Sequence, residues 1–134
     1  KLTLTDKKMV RYFMTIDDAV NIINQSLKNM SGGEIFIPRR LKMFKIFDLL
    51  QILLKKFGLN DKSIKIIGKR YGEKIEENLF FDYEYENIKM LNNFFVVQQN
   101  HLNTRTQMNK IKEIIKKQPL MNREEISKFL NKIL

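Results

Sequence analysis

Residues 64–74 read Ile-Lys-Ile-Ile-Gly-Lys-Arg-Tyr-Gly-Glu-Lys, a short β-branched run followed by a basic turn between two glycines. The segment Ile64–Ile67 is typical of a strand, and Gly68 ends it. Two further strands and two amphipathic helices precede it in alternation. The resulting order of strand, helix, strand, helix, strand predicts α/β packing with at least some parallel strand pairing.

The first of these elements are predicted from residue alternation and from helix-start signals. Alternating leucines and threonines at the start of the chain predict a short strand that ends at Asp6. Thr15 and Asp18 resemble a capping box at the start of a helix over residues 16–29. The apolar residues of this helix recur at helical spacing: Ile16, Ala19, Val20, Ile23, Leu27 and Met30.

A second strand and a second helix follow in the same way. Glu34–Ile37 predicts a four-residue strand that Pro38 stops, and a second helix is predicted over about residues 44–57 with Gly58 as its C-cap. The residues expected to be buried on this helix are Ile46, Leu49, Leu50, Leu53 and Phe57.

The C-terminal third is predicted to be mainly helical. Asn93–Gln98 predicts one more strand, and the polar segment Asn100–Thr106 is typical of a linker. A short amphipathic helix then runs up to Pro119, and Asn122 with Glu125 opens the last helix. The apolar positions of these two helices are Met108, Ile111, Ile114, Ile115, Ile126, Phe129, Leu130 and Ile133.

Composition narrows the classes of function. The chain of 134 residues, 43% of them hydrophobic, is long enough for one core and short for many enzymes. Without cysteine, and with His101 as its single histidine, it has no disulfide, no thiol nucleophile and no histidine or thiolate metal site. No window approaches the roughly 20 apolar residues of a membrane span, and no signal-peptide stretch opens the chain. We therefore expect a cytoplasmic protein without a metal.

The formal charge of +10 is unevenly distributed. Residues 39–74 hold eleven basic and three acidic residues, a net charge of +8, whereas residues 76–86 carry −5. An anionic ligand is therefore expected on the middle third of the chain. Nucleic acid is the less favoured ligand because 19 of the 25 basic residues are lysines, which lack the bidentate fork of arginine.

The turn after the third strand is the first candidate binding site. Its glycines let the backbone come close to a ligand, and Arg70 can present a planar donor fork to phosphate oxygens. Lys74 adds a positive charge, and Glu73 can accept hydrogen bonds from sugar hydroxyls. A glycine-rich turn with surface charges is the alternative interpretation.

Arg11 is the second candidate, because it is a charged residue inside an apolar run. A half-buried arginine usually has a fixed anionic partner. That partner is either a ligand or a salt bridge to Asp6 or Asp17.

Four blocks of the sequence occur in order and at natural spacing in one known family: Thr5–Asp6, Met9–Thr15, Gly32–Pro38 and Ile64–Lys74. Through them the chain resembles the C-terminal part of the UDP-N-acetylglucosamine 4,6-dehydratases, which belong to the polysaccharide-biosynthesis branch of the extended short-chain dehydrogenase/reductase superfamily. The resemblance implies that residues 1–99 form the substrate-binding portion of an extended Rossmann-type dehydratase. Residues 100–134 are then a linker and C-terminal helices.

The resemblance also implies roles for the candidate residues. Arg11 and Arg70 would contact the diphosphate of a UDP-sugar, Glu73 would lie near the ribose, and Lys74 would add to the positive charge. Family members usually have proline where this chain has Tyr71, and often where it has Lys7. Tyr71 leaves the turn less rigid than proline would.

In the intact enzyme the resemblance implies a homo-oligomer in which bound NAD(P) oxidises C4 of the hexose, water is lost across C5 and C6, and the hydride returns. The sequence contains no glycine-rich dinucleotide turn, so an N-terminal Rossmann portion is the expected partner and this chain alone is expected to be inactive. Tyr85 and Lys89 match the spacing of the superfamily's catalytic pair, but they follow the arginine block instead of preceding it. We interpret them as a helical surface.

Two rival functions remain at this point. A nucleotide-sugar epimerase uses the same grip on the diphosphate. A small basic adaptor or nucleic-acid-binding domain would bind any polyanion with a steep dependence on salt.

Overall fold

The computed structural model describes residues 2–134, with the backbone alone described at Asp61. The strands are β1 (Leu2–Leu4), β2 (Val10–Phe13), β3 (Ile35–Pro38), β4 (Lys42–Lys45), β5 (Ile64–Ile66), β6 (Ile88–Leu91) and β7 (Phe94–Val97). The α-helices are α1 (Ile16–Asn29), α2 (Ile46–Lys56), α3 (Arg105–Lys116) and α4 (Arg123–Leu130). Two short 3-10 helices cover Asp61–Ser63 and Asp82–Asn87. The predicted mixture of short strands and amphipathic helices is confirmed.

The chain divides into two compact units whose segments alternate along the sequence. Unit 1 contains the described residues up to Phe13, then Lys42–Glu77 and Pro119–Leu134. Unit 2 contains Met14–Leu41 and Asn78–Gln118. Each unit therefore depends on long-range contacts that local sequence signals do not encode.

Unit 1 holds two strand pairs and two helices. Strands β1 and β5 pair in parallel, as the alternation of elements predicted, and β2 and β4 pair antiparallel. Phe44 of β4 is 1% exposed and lies at the centre of the core, where its ring stacks on Phe13 at a centroid distance of 4.1 Å. Ile126, Phe129 and Leu130 of α4 complete this core. The apolar face predicted for the last helix is thus confirmed, apart from Ile133, which is exposed.

Unit 2 is built on a three-stranded antiparallel sheet in the order β3, β7, β6. A tight turn joins β6 to β7, and Asn92 takes a positive φ of 47° there, a conformation that asparagine tolerates better than most residues. Phe95 is fully buried and packs edge-on against Phe80. Ile111 of α3 closes the core, and Asn103 in the polar segment before α3 donates from its amide to the Ile88 carbonyl at 2.6 Å.

The helix starts predicted from capping residues are confirmed. Thr15 and Asp18 form a reciprocal capping box at the start of α1, and Asn122 and Glu125 form another at the start of α4. A third box, which the sequence analysis did not identify, is made by Thr104 and Gln107 at the start of α3. Each box satisfies backbone N–H groups that the first helical turn leaves unpaired.

The prediction for the second helix was wrong at its start and on one face. Residues 42–45 form β4, so the helix begins at Ile46 and not at residue 44. Phe57 is 65% exposed, and the fully buried side chain of α2 is Leu54. Four residues of antiparallel pairing with β2 outweigh the helical periodicity there.

Strand β6 was also missed, and Pro38 proved to be the last residue of β3 and not its terminator. Among residues 2–134 no helix combines the length and the apolar character that crossing a membrane requires.

The two phenylalanines Phe44 and Phe57 test this assignment of the core. Phe44→Ala should lower the free energy of unfolding by about 3–5 kcal/mol because it leaves a cavity between Phe13 and α4. Phe57→Ala is the matched control, and we expect a change within about 0.5 kcal/mol for this exposed ring. Urea denaturation followed by circular dichroism measures both, and equal losses would contradict the assignment.

Candidate functional site

The predicted binding turn follows β5 and is closed by the side chain of Glu73. Gly68 and Gly72 both take positive φ, at 83° and 78°, which favours glycine at each end of the turn. The Arg70 N–H donates to Glu73 Oε2 at 3.1 Å, and the Glu73 N–H donates back to the Arg70 carbonyl at 3.1 Å. Glu73 therefore braces the backbone that carries Arg70.

Glu73 also joins this turn to the segment that follows β1. The Thr5 hydroxyl donates to Glu73 Oε1 at 3.5 Å, and the Ile67 N–H donates to the Leu4 carbonyl at 2.9 Å. The half-buried carboxylate thus has both oxygens engaged by the protein. These hydrogen bonds give Glu73 a role in shaping the turn, and its place near the ribose stays a prediction.

Arg11 lies on β2, and its guanidinium binds the segment directly after the turn. Nη1 donates to the carbonyls of Val10 and Ile75 at 2.7 and 3.2 Å, and Nη2 donates to the Lys74 carbonyl at 2.9 Å. Nη2 also lies 3.6 Å from the Glu77 carboxylate. The acidic partner of Arg11 is therefore Glu77, not the expected Asp6 or Asp17.

The Val10 N–H strengthens the same junction by donating to the Ile75 carbonyl at 2.9 Å. All these groups belong to unit 1. The structure thus links Arg11 to Lys74 through the Lys74 carbonyl and links Arg70 to Glu73 through the turn. Sequence spacing offers no signal for the bonds of Arg11, because they span 63 and 64 residues.

The cationic side chains of the turn point into solvent. Arg70, Lys69 and Lys74 are all exposed. The ring of Tyr71 is fully exposed as well. This leaves a projecting turn with three cations and one aromatic ring available to a ligand.

Tyr12, beside Arg11 on β2, has an altered ionisation. Partial burial raises the pKa of its hydroxyl, and the nearby Glu76 carboxylate raises this pKa further by disfavouring the phenolate. Tyr12 therefore stays neutral over the physiological range and adds no negative charge next to the cations.

The described residues do not fit a dinucleotide or a metal. A dinucleotide site needs a glycine-rich turn between a strand and a helix, but Gly32 and Gly33 follow α1 and Gly58 follows α2. Gly68 does follow a strand, but the next element after it is the 3-10 helix Asp82–Asn87. Within the described part of the chain, no three His, Cys, Asp or Glu side chains are grouped so that they could hold a metal ion.

The pair Tyr85 and Lys89 is not the helical surface that we expected. Tyr85 lies in the 3-10 helix, half-buried against Phe80 with the Lys112 ammonium 4.7 Å from its ring centroid, whereas Lys89 lies on β6. The tyrosine therefore has a packing role in unit 2.

Comparison with known proteins shows the family of this chain. The sequence model of the family described as polysaccharide biosynthesis protein matches residues 1–99. This chain belongs to that family. The match covers β1 to β7 and includes both arginines of the candidate site.

Relatives of the family carry names from nucleotide-sugar chemistry. The chain is 37% identical over 93 residues to a UDP-N-acetylglucosamine 4,6-dehydratase (inverting) of Campylobacter jejuni, a match of 65% of this chain and 26% of that protein. It is 36% identical over 138 residues to an uncharacterized membrane protein of Methanocaldococcus jannaschii, a match of 98% of this chain and 41% of that protein. The chain therefore spans between about a quarter and two-fifths of the length of these relatives.

A solved structure confirms the predicted fold class. The X-ray structure of Pen from Bacillus thuringiensis superposes with a TM-score of 0.75 at 23% identity, covering 98% of this chain and 40% of that protein. The C-terminal helices α3 and α4, which lie outside the family match, therefore belong to the shared fold.

The bracing role of Glu73 can be tested by removing its carboxylate. Glu73→Ala should speed hydrogen exchange of the Arg70 amide about fivefold, since a hydrogen bond contributes about 1 kcal/mol. Glu76→Ala, which removes an exposed carboxylate of the same segment, is the control and should leave this amide unchanged. NMR-detected exchange measures both rates, and an unchanged rate in Glu73→Ala would show that the turn is held by other contacts.

Proposed function

We propose that this chain is the UDP-sugar-binding portion of a nucleotide-sugar 4,6-dehydratase that acts in surface polysaccharide or glycan biosynthesis. The observation that supports the proposal is the hydrogen bond from Arg11 to the Lys74 carbonyl, which joins a second arginine to the segment that carries the exposed cations of residues 69–74. Relatives named as dehydratases support the class of reaction.

Arg70 and Lys74 are the proposed first contacts of the diphosphate. Arg70 supplies a planar fork for two phosphate oxygens, and Lys74 supplies a point charge. Because Glu73 already holds the Arg70 backbone in place, binding orders mainly the side chain, which reduces the entropy lost.

Arg11 reaches the diphosphate in this proposal by exchanging one partner. Its ion pair with Glu77 is 3.6 Å long and the Glu77 side chain is 44% exposed, so the pair contributes little to stability. A phosphate oxygen can replace the Glu77 carboxylate while the three carbonyl bonds keep the guanidinium in position. Glu73, which braces the turn, would then lie near the ribose.

The proposal assigns binding to these residues and assigns no redox step to them. In the whole enzyme NAD(P) would be held by a Rossmann portion, and the greater length of the relatives is consistent with such a portion. The whole enzyme would act as a homo-oligomer in the cytoplasm. Residues 1–99 would grip the substrate, and residues 100–134 would serve as linker and C-terminal helices. Lys1 at the start of this range lies outside the described residues. The chain by itself would bind UDP and would not turn over a UDP-sugar.

Calorimetric titration with UDP tests the proposal. The wild-type chain should bind UDP, and Arg70→Ala should bind it about tenfold to a hundredfold more weakly, since a hydrogen bond to a charged group contributes about 1.5–3 kcal/mol. Arg105→Ala, which removes an exposed arginine of α3 in unit 2, is the matched control and should leave the affinity unchanged.

Titration with a DNA duplex in the same buffer separates the rival class. Binding to DNA that falls steeply with salt, without binding to UDP, would favour a nucleic-acid-binding domain. Equal UDP affinity in wild type and Arg70→Ala would refute the proposed contact.

A nucleotide-sugar epimerase is the second candidate, because a UDP-glucose 4-epimerase of Rickettsia canadensis is 34% identical over 79 residues. Both classes bind a UDP-sugar, so the titration leaves this choice open. An assay of the whole enzyme with a UDP-sugar decides between them, because a dehydratase product has lost water and an epimerase product differs from the substrate only in stereochemistry.

A further inference from the structure

Helix α2 of unit 1 ends in a basic segment that exposes two large apolar side chains. Phe57 and Leu59 are 65% and 51% exposed, so each leaves about half of its surface or more outside the core. We name residues 55–65 the α2 tip. The same segment contains four lysines, and all of them are exposed: Lys55, Lys56, Lys62 and Lys65.

The two apolar side chains belong to an ordered helix end. The Leu59 N–H donates to the Leu54 carbonyl at 2.8 Å, and the Gly58 N–H donates to the Lys55 carbonyl at 3.3 Å. Gly58 has a positive φ of 67° between them. These features form a Schellman motif, a common way for a helix to end on a left-handed glycine. The exposure of Phe57 and Leu59 is therefore a property of a defined backbone and not of a frayed terminus.

The charge of the α2 tip favours an anionic occupant. Its four lysines and one acidic residue, Asp61, give a net charge of +3. Clusters of basic residues close to exposed aromatic and aliphatic side chains are typical of segments that bind anionic lipid surfaces. Lysine suits such a surface because its long stem can lie along apolar groups while the ammonium stays among the headgroups.

We propose that the α2 tip docks this protein reversibly on an anionic membrane surface. Phe57 and Leu59 insert at the level of the headgroups, and the lysines pair with the negative charges of the lipids. One small apolar anchor gives only marginal binding, so attachment depends on the apolar pair and the lysines together. The inference goes beyond the proposed function and does not depend on it, because Arg11 and residues 68–74 form the candidate site.

A nucleic acid is a weaker occupant for the same positive charge. Its phosphates can pair with the lysines, and Phe57 can stack on an unpaired base. Nevertheless, a nucleic acid offers no apolar layer to Leu59. Arginine, whose planar fork suits nucleic-acid recognition, is absent from the α2 tip. The combination of an aliphatic side chain with lysines alone therefore favours a lipid surface.

Flotation of the 134-residue chain with lipid vesicles tests the inference. The chain should float with vesicles of equal parts phosphatidylcholine and phosphatidylserine, and added salt should release it. With vesicles of phosphatidylcholine alone it should stay in solution.

The apolar pair is tested by Phe57→Ser with Leu59→Ser. This variant should bind the phosphatidylserine vesicles at least about tenfold more weakly, because it loses the apolar area that enters the lipid. Phe81→Ser with Leu102→Ser removes the same two residue types from exposed positions of unit 2. As the matched control, it should bind the vesicles as wild type does.

The lysines are tested by Lys55→Glu with Lys62→Glu. Each substitution replaces an attraction to the lipid charge by a repulsion, so binding to the phosphatidylserine vesicles should weaken at least about tenfold. Lys110→Glu with Lys116→Glu makes the same change in net charge at exposed positions of α3. This control should change the affinity by less than about threefold, because salt screens charges that lie away from the surface.

All these substitutions are at exposed positions, and circular dichroism should show the wild-type fold for each variant. The inference is overturned if wild type ignores the phosphatidylserine vesicles, if it binds both kinds of vesicle equally, or if either tip variant binds as wild type does. Binding to a DNA duplex without binding to the vesicles would overturn it in favour of a nucleic acid. UDP titration of the two tip variants separates this inference from the proposed function, since the candidate site is intact in both and should retain wild-type affinity.

Discussion

The guanidinium of Arg11 holds together the part of unit 1 on which the candidate site depends. It joins β2 to the segment after the turn through the carbonyls of Lys74 and Ile75, and the Val10 N–H adds a backbone bond to the same segment. Hydrogen bonds from a charged donor are stronger than those between neutral groups. Removing this side chain would therefore release the turn at its C-terminal end, while Glu73 holds the turn internally.

The same cation can serve both structure and binding because its partners differ in strength. The carbonyl bonds of 2.7 to 3.2 Å fix the position of the guanidinium, whereas Glu77 neutralises it loosely from a half-exposed site. A positive group that is fixed in space and weakly neutralised is suited to an anion, since little reorganisation is needed when the anion arrives. Glu77 thus occupies the place that the proposal assigns to phosphate.

Features of this fold that depend on neighbours in sequence could be predicted, and features that depend on distant segments could not. The capping boxes of α1 and α4 are local, and each was predicted from residues within one helical turn. Strand β4 escaped prediction because its identity comes from pairing with β2, about 30 residues earlier.

The contacts of side chains were likewise predictable only where the partner is near in sequence. Arg11 stands out in the sequence, but the acids predicted for its salt bridge were wrong, because Glu77 approaches it through the long-range junction of β2 with residues 74–77. Phe57 was expected to be buried and is exposed, whereas Leu54 was not among the expected core residues and is buried. A helical period identifies an apolar side of a helix, but it does not show which of its residues the neighbouring elements contact. Helix α1 is a further case, because its apolar periodicity is clear in the sequence and yet Ile23 and Leu27 are exposed.

The basic residues of the middle third of the chain differ in what their cationic groups contact. The Lys42 ammonium lies 4.8 Å from the centroid of the Phe129 ring, so this cation has an aromatic partner within unit 1. Around the turn, by contrast, Lys69, Arg70 and Lys74 all remain exposed. A nucleic-acid surface would need exposed cations spread along a path that follows many phosphates. Lys45, Lys55, Lys56, Lys62 and Lys65 are exposed as well, so exposure alone does not distinguish the turn. The turn differs from these lysines because Glu73 holds its backbone and because Arg11 binds the Lys74 carbonyl, and the proposed diphosphate contact rests on that difference.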